Sequence, residues 1–388
     1  AGRDLGLLPL SPLAGKGGQG DRGQSGQTAH LFPPRCTRWL TLLVLVVAVW
    51  GAAVPVAARQ GPTGRVDVFV SKDAETGLTR LYFLDALSGL STVVNIESGR
   101  HFALVGDYVI YEKARTGAIM RANAQGTLEP HPFIRRGVDI EQIRWVASPD
   151  GSAIAWVEVN TDGVSALFVA QADGSGLRQL PISTPGDGKM LLPLALSNGM
   201  AQLVYDAAHP LESPSGVLFE VYEYLSVYRI AEERFVTLTG EPICPCAAAA
   251  TPDGHTVSRL EAAAGRGPFA LRVWDVPTGA ETLVPAPNLP YRLAGDLILN
   301  EAGTLAAYSA ATGDGPPYVL IVVDAVGRRQ RLARSSETVR YRPLAFIDGD
   351  SALLLADAEA DGTFKLDLTT GELIRVSDKR YLGAIGLP

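Results

Sequence analysis

The chain has 388 residues, 47% of them hydrophobic and 19% charged, an ordinary globular balance with length for one large core or two smaller ones. Its formal charge is −7; residues 1–58 hold five basic and two acidic side chains, a net of +3, which leaves −10 on the remainder. So acidic a body repels phosphate backbones and anionic lipid, which excludes nucleic acid and membrane surfaces as primary ligands.

In chain order, residues 1–34 read as a low-complexity N-terminus. The stretch GKGGQG at 15–20 matches a dinucleotide-binding fingerprint in form only, because no strand precedes it and no helix follows to face a pyrophosphate. Residues 35–58 read as a signal peptide or signal-anchor helix: Arg35 and Arg38 stand before twenty uncharged residues, 39–58, that end in Val-Ala-Ala. Cleavage after Ala58 and retention as an anchor are both compatible with this pattern. Either outcome leaves the basic flank inside and carries the rest of the chain out of the cytoplasm, with membrane contact only through residues 39–58 if they are uncleaved.

The 41 glycines and 26 prolines favour short strands joined by turns. Beyond residue 64 the chain repeats one pattern: an apolar run, a tight turn, a second apolar run, a loop, a third run, a turn and a fourth run. It is clearest at 147–180, where Ser148-Pro149-Asp150-Gly151 leads into IAWVEV, then LFVAQADGSG and LRQL. Thr251-Pro252-Asp253-Gly254, Asn300-Glu301-Ala302-Gly303 and Asp348-Gly349-Asp350 open similar units. Late-turn glycines at 89, 126, 174, 279, 327 and 371 are spaced by 37, 48, 105, 48 and 44 residues, and the long gap holds a copy that turns at Glu232-Glu233. The expectation is an all-β, seven-bladed β-propeller of four-stranded antiparallel blades over residues 64–388. Its blades are expected near 66–97, 101–134, 143–182, 190–239, 243–286, 290–333 and 341–377. The first copy lacks an opening strand, and the apolar tail at 381–387 is predicted to supply it and close the ring.

The motif SPDG…IAWVE…LFVAQADGSGLRQL resembles the WD-like repeat of the TolB-type propeller family of exported bacterial proteins, and LRVWDVPTG resembles the end of a WD repeat. The resemblance implies an exported propeller and transfers no activity, and the chain is expected to be a monomer. About eight residues separate Ala58 from Val66, too few for the α/β domain that TolB places before its propeller.

Chemistry is harder to find. No Gly-x-Ser-x-Gly elbow occurs, which excludes the serine hydrolase domain that accompanies some propellers. Cys244 and Cys246 flank a proline and form either a strained disulfide or two small buried side chains. A zinc site would need two further ligands. Blade topology puts His101 and His209 on one face, His255 on the other and His131 in a fourth strand, so these imidazoles do not converge on a metal. Asp348, Asp350, Asp357 and Asp361 lack calcium-loop spacing and read as turn formers. Tyr222, Tyr224 and Tyr228 alternate along one face and suit either recognition or packing between blades.

The loops at 182–189, 206–216, 263–268 and 311–317 are Gly- and Pro-rich and share one face of the ring. Binding residues sit preferentially on loops held by a rigid scaffold, so Asp206, His209, Glu212, Arg266 and Asp314 are the candidate binding residues, with no catalytic residue, metal or cofactor assigned. The leading expectation is a non-catalytic scaffold that binds a protein, peptide or glycan at the cell envelope. The alternative is an enzyme or small-ligand receptor with its site at the channel mouth, marked by three or more convergent polar side chains there.

Overall fold

Short apolar runs bounded by Asp- and Gly-containing turns form twenty-eight strands in the computed structural model, which describes residues 64–73, 75–183, 190–208, 219, 225–238, 247–262, 268–313 and 315–386. They assemble into seven four-stranded antiparallel sheets. The first blade, from the axis outward, is Arg380–Gly386, Arg65–Lys72, Thr79–Asp85 and Ser91–Ile96. The second is Gly99–Val105, Tyr108–Lys113, Ile119–Asn123 and Leu128–Pro130, and the third is Ile140–Ala147, Ala153–Asn160, Ser165–Gln171 and Arg178–Gln179. The fourth is Met190–Leu196, Gln202–Ala208, Leu225–Arg229 and Arg234–Thr237, and the fifth is Ala248–Ala250, Thr256–Ala262, Phe269–Asp275 and Ala280–Val284. The sixth is Leu293–Leu299, Leu305–Ala311, Tyr318–Asp324 and Arg329–Ser336, and the seventh is Tyr341–Ile347, Ala352–Asp357, Thr363–Asp367 and Leu373–Ser377. A short 3-10 turn at Asn198–Met200 is the only helical segment among the described residues, and no helix among them is long and apolar enough to cross a membrane.

The turn chemistry explains the repeat. Ser148 Oγ donates to the Asp150 carboxylate at 2.6 Å and accepts from Ala153 N at 3.0 Å, so one hydroxyl fastens the turn and starts the returning strand. Thr251 does the same with Asp253 and Thr256, and Asn300 accepts from Thr304 N and Leu305 N. These turns also join neighbours: Gly106 N donates to Gly151 O at 2.7 Å, Asn198 N to Pro252 O at 2.7 Å, and Asn300 Nδ2 to Asp350 at 2.8 Å. Late turns instead use aspartates: Asp85, Asp275 and Asp367 accept from backbone N–H groups within their own turns, which lowers their pKa values.

The core lies between blades. Val68 and Phe83 of the first blade pack with Val109 and Tyr111 of the second, and Ile110 with Trp156 of the third. Val157 and Leu167 meet Leu203 and Tyr228 of the fourth, and Val227 meets Trp274 of the fifth. Leu271 packs with Tyr308 of the sixth, and Leu320 with Leu355 of the seventh. Tyr228, one of the alternating tyrosines, is thus a fully buried packing residue against Phe235.

The ring closes through the tail. Ile385 lies opposite Val66 and Arg380 opposite Val70, so the first sheet combines both ends of the propeller. Gly383 has φ +140°, and a Cβ there would lie 2.7 Å from Leu104, so the close approach to the second blade requires glycine. Across the seam to the seventh blade the contacts are polar: Thr363 Oγ1 donates to Lys379 O at 2.6 Å and accepts from Tyr381 N, and Lys72 N donates to Asp361 at 2.8 Å.

Truncating Ile385, 3% exposed, to alanine removes packing from the closing strand and is expected to cost about 2–4 kcal/mol in urea unfolding. Leu87→Ala, at a side chain 78% exposed, is expected to stay within about 0.5 kcal/mol of the parent.

Candidate functional site

The innermost strands carry a recurring irregularity. Register shifts interrupt pairing at Arg100/Ala103, Ile140/Gln142, Pro193/Ala195, Gly295/Ile298 and Pro343/Ala345, and the closing strand is shifted opposite Val68/Phe69. A bulge re-aims the side chain of its extra residue. His101 and Asp296 sit in two of these bulges with φ +55°, a left-handed conformation that non-glycine residues adopt only when their surroundings impose it.

These strand ends, on the face opposite the Ser-Pro-Asp-Gly turns, surround a cavity of 730 Å³ at the channel mouth. Four guanidinium groups line it, from Arg144, Arg340, Arg342 and Arg380, together with the carboxylates of Asp296 and Asp357. Arg340 donates to Asp296 at 2.7 Å and Arg342 stands 3.6 Å from the same carboxylate. With the Gln142 amide turned so that its oxygen faces Arg144, the guanidinium donates to it at 2.7 and 3.1 Å. Arg380 has no carboxylate within ion-pair distance among the described residues, and its Nε and that of Arg340 are buried without an acceptor. Burial, reinforced by the charge of Arg342, holds the pKa of Arg380 down against the opposing pull of Asp361. Trp145 and Tyr381 add aromatic surface. Below them Phe102, Val146, Leu194 and Leu382 line both this cavity and a second one of 830 Å³ among the tight turns, forming an apolar waist between the two.

Beside the mouth, Glu112 is 1% exposed and anchors three cationic or titratable groups. Arg100 donates to its two oxygens at 2.8 and 3.1 Å, Arg136 donates at 3.0 Å, and His101 Nδ1 lies 3.0 Å from Oε2. Burial alone would raise the carboxyl, but the hydrogen bonds from Arg100 and His101 and the charge of Arg136 outweigh it and hold its pKa low. Burial and the nearby charge of Arg144 lower His101 despite Glu112, which keeps the imidazole neutral at pH 7. Asp206 and Ser309 occupy corresponding positions in the second strands of the fourth and sixth blades, each following a buried tyrosine as Glu112 follows Tyr111.

Of the candidate binding residues, Asp206 is described, and it corrects the expectation of an exposed loop. It belongs to the strand Gln202–Ala208, opposite Leu192 and Leu225, with 0% exposure. Asp206 is where strand pairing continues past the expected loop start. His209, Glu212, Arg266 and Asp314 lie outside the described residues, as do Cys244, Cys246, Tyr222, Tyr224 and the segments at 1–34 and 35–58. His255 is exposed on a tight turn 3.2 Å from Asp253. The acidic residues near the seventh blade serve separate partners: Asp350 accepts from Asn300, Asp361 from Lys72 N, and Asp357 from its own turn, while Asp348 pairs with Lys365. Among the described residues no group of three His, Cys, Asp or Glu is placed to hold a metal ion.

The sequence reading missed the arginine ring. Its signal was an arginine recurring where chain enters the innermost strand, as in Arg100-His101, Arg340-Tyr341-Arg342 and Arg380-Tyr381.

No protein-family model matches the chain. Solved propellers are similar at low identity. An oligogalacturonate lyase in complex with manganese is 14% identical, with a TM-score of 0.52 over 83% of this chain and 96% of that one. The periplasmic gluconolactonase of Pseudomonas aeruginosa is 16% identical, with a TM-score of 0.52 over 84% of this chain and 100% of that one. TolB from Acinetobacter baumannii is 12% identical, with a TM-score of 0.44 over 82% of each chain. At these identities the likeness to the lyase and the gluconolactonase shows the propeller fold alone.

His131 supplies a pH test. It is fully buried; Nδ1 accepts from Ile134 N at 3.0 Å, which leaves Nε2–H to donate to Tyr108 Oη at 3.1 Å. Burial first, then the charge of Arg121, pushes its pKa down to about 4 from 6.5. Between those values the unfolded chain binds the extra proton, so the stabilisation is complete above pH 6.5 and is lost on acidification towards pH 4, by roughly 3 kcal/mol. Urea titrations at pH 7.5 and 4.5 are expected to show this loss in the parent and a smaller one in His131→Gln.

Proposed function

We propose that the protein is an extracytoplasmic, TolB-type propeller that binds an anionic ligand at the bulged-strand mouth of its central channel. The observation that carries this reading is the convergence of Arg144, Arg340, Arg342 and Arg380 on one cavity with, among the described residues, two facing carboxylates, within a chain whose propeller portion is strongly acidic. Positive charge so placed against the sign of the body focuses the field on the mouth and favours negative ligands there. Ion pairs with Asp296 and hydrogen bonds to the Gln142 amide fix three of the guanidiniums in advance, which reduces the ordering cost of binding. The apolar run after Arg35 and Arg38 supports export, and the Ser/Thr-Pro-Asp-Gly turns support the TolB-type assignment. Of the scaffold's envelope partners, a glycan or other small anionic ligand suits a concave mouth better than a flat protein surface does.

Calorimetric titration with a panel of organic anions and their uncharged counterparts tests the reading. Anions alone are expected to bind, and Arg340→Gln combined with Arg342→Gln is expected to weaken them by about ten-fold or more, with the thermal midpoint of the ligand-free protein changed little. Equal binding of charged and uncharged compounds would overturn it.

A second reading, catalysis at the same mouth, rests on the His101–Glu112 pair, since a neutral imidazole oriented through Nδ1 by a buried carboxylate has the arrangement of a general base. In that case His101→Gln is expected to abolish turnover of a bound ligand while changing its dissociation constant by less than about two-fold.

A further inference from the structure

We infer that the anion is a carboxylate-bearing sugar seated on Arg380, and that its binding latches the propeller ring shut. This rests on the channel-mouth reading above and specifies its ligand and its consequence.

Among the described residues neither Arg144 nor Arg380 has a carboxylate partner at the mouth, and of the two only Arg144 is held by a side-chain acceptor, the amide of Gln142. Arg340 and Arg342 share Asp296, whereas Arg380 has no ion-pair partner among the described residues and rests over the ring of Phe102 at 6.0 Å with its Nε buried and unmet. An arriving carboxylate offers two acceptor oxygens to this fork, and such bidentate pairs are the strong, geometrically selective ones. Asp296 and Asp357 offset two of the four guanidiniums, and the positive excess that remains accommodates an anion, a phosphate being tested against a carboxylate below. Those same carboxylates, with Gln142, accept and donate hydrogen bonds suited to hydroxyl groups, and Trp145 and Tyr381 present half-buried aromatic faces to the apolar side of a ring. A cavity of 730 Å³ holds more than one sugar unit.

The position of Arg380 adds the second part. It starts the closing strand Arg380–Gly386, opposite Val70, and its neighbour Tyr381 donates to Asp67 at 3.0 Å and accepts from Arg65 at 3.2 Å. The remaining wall comes from other blades: Arg340 and Arg342 from the seventh, Asp296 from the sixth, Arg144 and Trp145 from the third. A ligand bridging these groups binds only the closed ring, so its binding free energy opposes release of the closing strand.

The test uses the full-length chain with trimers of galacturonate and of glucuronate, their methyl esters, glucose 6-phosphate and an acidic peptide. At least one uronate trimer is expected to bind about ten-fold or more tightly than its ester, and saturation is expected to slow amide exchange across 380–386 by a similar factor. Arg380→Gln is expected to remove most of the difference between acid and ester; the wild-type acid-to-ester comparison needs no variant and stands if that variant folds poorly. Tightest binding of glucose 6-phosphate or of the peptide would overturn the sugar-acid assignment and leave the anion site standing. Uronate binding without protection of 380–386 would overturn the latch. Absence of binding by every anion would overturn this inference and the site reading together.

Discussion

A four-stranded blade has two apolar faces and no means of covering either by itself. Among the described residues six clusters of buried side chains are each shared between two consecutive blades, so the sheets are stable chiefly through their neighbours. Closure answers that constraint without terminal caps, and it is made by a strand from the far end of the propeller, Arg380–Gly386, laid along Arg65–Lys72. The seam beside it is stitched by polar contacts through Thr363 and Asp361 in place of a large apolar cluster, which makes it the part of the ring most open to influence by a ligand.

The candidate site is a by-product of the same geometry. Inner strands crowd around the axis, and bulges relieve the crowding near one mouth. Each bulge turns a side chain that strict alternation would have sent between blades. His101 and Asp296 are placed this way, and the arginines that precede or follow such points face a common space. On the tight-turn face Ser148, Asp150, Thr251 and Asp253 are engaged in fastening their turns, and Asn198, Asn300 and Asp350 in joining one turn to the next.

Buried carboxylates each gather several cations, one of them beside the mouth. Glu112 satisfies Arg100, Arg136 and His101 at once, and Glu261 similarly takes Arg259 and Arg272 in the fifth blade. Removing such a hub leaves several desolvated cations without a partner, a larger penalty than the pair contributes when intact. Beside the mouth, the contacts of Glu112 hold His101 in place before a ligand arrives, which limits what binding costs in ordering.

The repeat, the seven blades, the identity of the turns and the role of the tail were legible in the sequence, because local rules write them: hydroxyl or amide at the first turn position, glycine where φ is positive, apolar runs of strand length. The complementary signs of a first copy without an opening strand and an unassigned apolar tail together named the closing pair. The site was not legible in the same way. Asp206 was read as a loop residue because strand pairing in the fourth blade extends beyond what its polarity suggests, and a buried acid is tolerated only by neighbours that no local pattern reveals. Arg144, Asp296, Arg340 and Arg380 are distant in sequence, and a bulge at a non-glycine residue has no sequence signature. Periodicity along the chain therefore determined which faces are apolar and that the sheets form a ring. Which charges meet at its axis was decided only by tertiary structure, since ring radius, bulge position and strand register act on residues hundreds of positions apart.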